Sequence, residues 1–222
     1  MKEQKLPFRI SAVIFDMDGV IFDSERIFLE CCIEVGKRYK LERVEEVCRL
    51  CIGTTSKMTE QILMNEYGPD FQLDRFRGDT NELFWKRYDE AGQLPVLTGV
   101  ELLLKKLKDL KYPLALASST KSEVVKRQLK DAGLLDYFDI VIGGEQVSRS
   151  KPDPDIFLSA AEALKAAPEE CLVIEDSHNG IRAAEAAGMI PVMVPDLLPA
   201  TEEMKEKAWK ILPSLVEVAE LF

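Results

Sequence analysis

Five short apolar runs, each too brief for a helix and each ending in polar residues, constrain this chain more than any other feature. Residues 12–15 (AVIF) lead into DMD, 113–117 (PLALA) into SST, 139–142 (DIVI) into GGE, 171–174 (CLVI) into ED, and 190–194 (IPVMV) into PD. A continuous apolar run that delivers polar groups at its carboxyl end is the pattern of a parallel strand buried on both faces. Between the runs lie stretches with helical spacing: 99–110, where Val100, Leu103, Leu104 and Leu107 share a face, 121–132 with Val125, Leu129 and Ala132, then 155–166 and 179–187. Strand alternating with helix predicts an α/β fold, a doubly wound, Rossmann-like parallel sheet.

The alternation is interrupted once. After residue 15 the next apolar run begins only at 113, and residues 24–93 read instead as helices over 25–39, 43–51, 56–67 and about 74–91, broken near Gly53, Gly68, Pro69 and Gly78. This predicts a helical domain, residues 23–95, inserted into an α/β core made of 1–22 and 96–222. Phe22-Asp23-Ser24 and Leu94-Pro95-Val96 are its expected joints and are suited to act as hinges.

Composition narrows the function. With 29 basic and 39 acidic residues among 222, the net charge is −10, which repels phosphate backbones and anionic membranes, so no nucleic-acid or membrane partner is expected. No apolar run reaches membrane-spanning length, and MKEQKLPFRI lacks the apolar stretch of a signal peptide, which predicts a soluble, cytoplasmic protein. The five cysteines are too few for a disulfide scaffold. Cys48 and Cys51 form a CxxC that could join Cys31 and Cys32 around zinc, but adjacent residues on a helix diverge by about 100°, so core packing is the simpler role, as it is for Cys171. A single histidine, His178, leaves little room for triads or histidine-rich metal sites.

What remains is carboxylate. In open α/β sheets the ligand crevice lies at the carboxyl ends of the strands, which should bring together Asp16 and Asp18, then Ser118, Ser119 and Thr120, then Lys151, then Glu175 and Asp176. Carboxylates, hydroxyls and a lysine at one sheet edge make a site for Mg²⁺ and phosphate. Singly, these residues also suit plainer roles: Ser and Asp cap helices, and a lysine before proline is commonly a solvated loop residue. Asp16 and Asp18 resist that reading, because like charges at a buried strand end need a compensating cation.

Taken together, FDMDGV (15–20), LALAS (114–118), the Lys151-Pro152 of SKPDP and IEDSHNGIRAA (174–184) resemble the four motifs of the haloacid dehalogenase-like hydrolase superfamily, in the branch with a helical cap after the first motif. That branch includes small-molecule phosphatases and β-phosphoglucomutase. The resemblance implies that Asp16 is a nucleophile forming an aspartyl-phosphate and that Asp18 is general acid, then base. Ser118 and Ser119 would bind the phosphoryl group with Lys151, and Gly19 would let backbone amides face it. Mg²⁺ would be held by Asp16, Glu175, Asp176 and the backbone carbonyl of Asp18.

The superfamily also contains dehalogenases, which lack the second aspartate present here as Asp18, and phosphonate-cleaving enzymes, which need a cap lysine that nothing singles out between Lys57 and Lys86. Mutases of the β-phosphoglucomutase type carry a cap histidine and basic residues flanking a glycine. Phe28 stands at the first position, with Ile52 and Ser56 at the others beside Gly53, and only Lys57 nearby could substitute. The expectation is therefore a phosphatase acting on a small phosphorylated metabolite, foremost a sugar phosphate, with the mutase as alternative. A phosphoaspartate switch would have no use for Asp18 or the insert, and a non-enzymatic sugar-phosphate binder would need no catalytic set.

Overall fold

A computed structural model describes residues 9–52 and 56–222. Its sheet has six strands: β1 (Ala12–Phe15), β2 (Leu114–Ser118), β3 (Ile140–Gly143), β4 (Cys171–Glu175), β5 (Ile190–Met193) and β6 (Lys210–Ile211). The order is β3-β2-β1-β4-β5-β6, and all neighbours are parallel. β1, β2 and β4 are buried at every residue, as their uninterrupted apolar character requires.

Ten α-helices are described: α1 (Ser24–Arg38), α2 (Val44–Leu50), α3 (Ser56–Tyr67), α4 (Leu73–Ala91), α5 (Val100–Asp109), α6 (Ser122–Asp131), α7 (Asp155–Leu164), α8 (His178–Ala186), α9 (Glu202–Lys207) and α10 (Leu215–Ala219). On one sheet face Ala12, Ile14, Ala115, Ala117, Cys171 and Val173 pack against Ile156, Phe157, Ala160 and Ala161 of α7 and Ala183 and Ala184 of α8. Small side chains there let the helices approach closely. The alternate residues Val13, Phe15, Leu114, Leu116, Leu172 and Ile174 are equally buried and by strand periodicity face the other way. Val100, Leu103, Leu104 and Leu107 of α5 are all buried, as their spacing predicts.

Several boundaries move for local reasons. β2 starts at Leu114 because Pro113 has no amide to donate, and the Asp139 carboxylate accepts from the Leu114 amide (2.9 Å) just before β3 begins. α7 stops at Leu164 because Lys165 is left-handed, with φ of 57°. β6, α9 and α10 are absent from the sequence reading. Thr201 and Ser214, whose hydroxyls accept from the amides of Met204 and Val216, mark the starts of the two helices.

Residues 24–94 form a compact unit of their own, and the rest of the described chain forms the other. Within the insert, Val47, Leu63 and Leu73 centre an apolar cluster with Tyr67 and Phe71, and Arg87 of α4 pairs with Glu30 (3.3 Å) and Glu34 (2.5 Å) of α1. Gly78 does not break the chain as expected: it lies inside α4, where burial of Phe76, Thr80, Leu83, Phe84 and Tyr88 offsets a glycine cost of roughly 1 kcal/mol. The cysteines are free thiols. Cys32 and Cys48 interact, which pushes the Cys32 thiol up and the Cys48 thiol down, and Cys51 donates to the Val47 carbonyl (3.3 Å). No metal-capable grouping among the described residues contains a cysteine. Phe28 is exposed on α1, edge-on to Phe84 at 6.0 Å. Gly53 and the side chain of Ser56 lie outside the described residues.

On the core side, the two chain segments that lead to the insert pair with each other. Phe22 bridges antiparallel to Val96, the Asp23 amide donates to the Pro95 carbonyl (3.0 Å), and the Leu97 amide to Ile21 (2.9 Å). No helix among the described residues is long and apolar enough to cross a membrane.

Candidate active site

The strand order reverses between β1 and β4, the switch point at which open α/β sheets leave a crevice. Asp16 is the first residue beyond β1. Its amide donates to Ile174 (3.0 Å), continuing the register that pairs Phe15 with Ile174 and setting it beside Glu175 at the end of β4. On the other flank Phe15 pairs with Leu116, so Ser118 ends β2 near the turn that carries Asp18. Gly19 closes that turn with φ of +77° and donates to the Phe22 carbonyl (2.9 Å).

Lys151 arrives from the segment after β3. Its ammonium lies over the Phe157 ring, 4.8 Å from the centroid, and its Nζ bonds both Asp16 Oδ1 and Glu175 Oε1, the latter at 2.7 Å. The other Glu175 oxygen accepts from the Ser177 amide (2.6 Å). Ser177 also caps α8, accepting from the Gly180 amide (3.0 Å), so one residue fixes both the carboxylate and the helix start. Ligand oxygens of Asp16, Glu175 and Asp176 lie within 4.8 Å of one another, and all three residues are buried.

Electrostatics follow from this crowding. Burial, with Glu175 and Asp18 adding to it, pushes the Asp16 carboxyl up to about 7 while Lys151 pulls against the rise. Burial also opposes the charge on Lys151, but Asp16 and Glu175 together outweigh it and hold the ammonium above its ordinary value. Three buried carboxylates face one ammonium, a negative excess that is costly until a cation or proton offsets it. The donor set is all oxygen and suits a hard divalent cation. The backbone leaves room for the carboxylates: a Cβ at Gly19 would collide with Asp176, and one at Gly180 with Glu175.

Asp16, Ser118, Lys151, Glu175 and Asp176 thus gather at one sheet edge, and Asp18 joins through its carboxyl, which accepts from Ser118 (3.4 Å) and Thr120 (3.2 Å). Ser119 is exposed on the same loop. His178 opens α8, and its Nε2 is 2.9 Å from the Pro199 carbonyl. The contact of Thr120 with Asp18 and the bracing of Glu175 by Ser177 have no counterpart in the expectations drawn from the motifs. A hydroxyl two residues beyond Ser118 was the available signal for the first.

Residues 13–194 match the family model described as haloacid dehalogenase-like hydrolase. The chain belongs to the haloacid dehalogenase-like hydrolases. It is 34% identical over 180 residues to a phosphorylated carbohydrates phosphatase of Thermotoga maritima, covering 81% of this chain and 82% of that one. Among solved structures it is similar to a CbbY variant from Rhodobacter sphaeroides in complex with xylulose-(1,5)bisphosphate, with 25% identity, a TM-score of 0.75 and coverage of 96% of this chain and 99% of that one. It is also similar to β-phosphoglucomutase from Clostridium difficile, with 25% identity, a TM-score of 0.74 and coverage of 94% and 93%. The α/β, Rossmann-like fold expected from the apolar runs is the fold these relatives share with this family member.

Proposed function

We propose that the chain is a Mg²⁺-dependent phosphatase that hydrolyses small phosphorylated metabolites, sugar phosphates foremost, through an aspartyl-phosphate on Asp16. The observation that carries this reading is the bond from Lys151 to both Asp16 and Glu175 at the sheet switch point, with Asp176 alongside. The Thermotoga maritima relative, named for phosphorylated carbohydrates, supports the substrate class.

In this mechanism the Asp16 carboxylate attacks phosphorus, the bond to the leaving oxygen breaks, and Asp18 gives that oxygen a proton. Asp18, now a carboxylate, takes a proton from water as the water oxygen attacks phosphorus. The bond to Asp16 breaks, Asp16 returns as a carboxylate, and phosphate leaves. Lys151 keeps Asp16 ionised and, with Ser118, Ser119 and the amides around Gly19, offsets charge on the phosphoryl oxygens. Asp16, Glu175, Asp176 and the Asp18 carbonyl would hold Mg²⁺, which when bound adds positive charge against the phosphoryl group. Glu175, tied at both oxygens to Lys151 and Ser177, also braces that set.

Hydrolysis is favoured over phosphoryl interconversion because Phe28 stands at the sequence position where mutases of this branch carry a histidine. Asp18 favours turnover over a stored phosphoaspartate. The test is a screen of phosphorylated metabolites with Mg²⁺, scored by released phosphate, with Asp16→Asn as control. Turnover should fall by several orders of magnitude in that variant. Activity within about tenfold of the parent would remove Asp16 as nucleophile.

A further inference from the structure

Asp18 must keep one orientation through two proton transfers, and the loop after β2 is built to hold it. Asp18 Oδ2 is 3.2 Å from Thr120 Oγ1 and 3.4 Å from Ser118 Oγ, so Thr120 makes the shorter bond. The Thr120 amide donates to Ser118 Oγ (3.0 Å), a hydroxyl turn that leaves the Ser118 proton to point at Asp18.

The loop itself is clamped from β3. The Gly144 amide donates to the Thr120 carbonyl (3.1 Å), and the approach is so close that a Cβ on Gly144 would overlap the Ser119 backbone. Two residues beyond Thr120, the Ser122 amide donates to both oxygens of Glu145 (3.1 Å each), which anchors the start of α6. Thr120 is therefore held from both sides, and a hydroxyl on a fixed backbone can orient a carboxyl without being ordered at each turnover.

We propose that Thr120 is the positioning residue for Asp18: its hydroxyl fixes Oδ2 and so aims the carboxyl at the leaving oxygen and then at the attacking water. This rests on the phosphatase reading above. Thr120 acts through Asp18, so its removal should matter most where the leaving oxygen most needs a proton.

The experiment compares phenyl phosphate with p-nitrophenyl phosphate, similar in size, because nitrophenolate departs with far less need of a proton than phenolate. First-turnover rates and KM are measured in the parent, Thr120→Val, which keeps the branched shape, and Thr120→Ser, which keeps the hydroxyl. Thr120→Val should lose about tenfold with phenyl phosphate, about twofold with p-nitrophenyl phosphate, and hold KM within about twofold. Thr120→Ser should recover most of the loss, and thermal melts should match across all three proteins. Equal losses with the two esters, or Thr120→Ser no better than Thr120→Val, would overturn the proposal. So would a raised KM at unchanged rate, which would make Thr120 a phosphate ligand instead. Asp16→Asn and Asp18→Asn run alongside: if Asp16→Asn stays active, or the parent releases phosphate neither from these esters nor from any phosphorylated metabolite of the screen, the phosphatase reading has failed. If both variants are impaired as expected, only the role of Thr120 is at stake.

Discussion

Lys151→Met is the most informative single change, because it keeps an unbranched apolar side chain of similar length and deletes the ammonium, with its contact to the Phe157 ring. The Lys151 side chain is 8% exposed, Asp16 9% and Glu175 1%, so water cannot replace the lost charge. Removing one partner of a buried ion pair costs about 3–5 kcal/mol, and here the ammonium serves two carboxylates. In urea unfolding at pH 8 with chelator, Lys151→Met should lose stability in that range with an unchanged denaturant slope. Adding Glu175→Gln removes one stranded carboxylate, so the double variant should lose at least about 1 kcal/mol less than the sum of the single losses.

The pH dependence has a definite sign. Asp16 is raised to about 7 in the folded protein from an ordinary 3.8, so between those values the native state binds more protons than the unfolded chain and stability falls as pH rises. Lys151 opposes that rise, so deleting it should extend the fall to higher pH, and the deficit of Lys151→Met should be smaller at pH 5 than at pH 8. A loss under about 1 kcal/mol, or additive losses in the double variant, would mean the cluster is solvated and the electrostatic account is wrong.

Four further outcomes are expected. Chelation should abolish phosphate release and Mg²⁺ restore it, whereas full activity in excess chelator would reject the carboxylate metal set. Gly19→Ala should weaken Mg²⁺ affinity measured by calorimetry, since the new methyl meets Asp176 at a residue with φ of +77°, and unchanged affinity would show that Asp176 need not sit there. Given β-glucose 1-phosphate, Mg²⁺ and a bisphosphate primer, the enzyme should release phosphate faster than it forms glucose 6-phosphate, and the reverse order would favour the mutase. Burial pushes the Cys171 thiol up to about 11, so alkylation at pH 8 should be slow until the protein unfolds, as mass spectrometry of the labelled peptide would report.

The strands that place the site were legible because burial on both faces leaves an uninterrupted apolar run, and Asp16 and Asp18 stand directly after the first of them. β6 was not, because Lys210–Ile211 is an edge pair of half-buried residues with no apolar run to mark it. Gly78 misled because local propensity was outweighed by the buried face of α4. Lys151 illustrates the limit differently: its spacing from Asp16 is 135 residues, and nothing local distinguishes it from any loop lysine before proline. Its contact with Glu175 is a product of topology. Thr120 was named with its neighbours at the strand end, yet only the loop's turn shows that Thr120 and Ser118, and not Ser119, bond Asp18.

The pairing of Phe22 with Val96 bears on how the chain assembles. β1 must find β2 across the whole insert, as the register Val13 to Leu114 requires. An insert that closes on its own apolar cluster first brings Asp23 and Pro95 together, and the search left for β1 is then that of a short connection. By loop-closure entropy, cutting an effective loop from about 100 residues to about 30 saves roughly 1 kcal/mol. A nucleation order follows: slowing collapse of the helical unit should slow sheet formation, although no residue of the sheet has been changed.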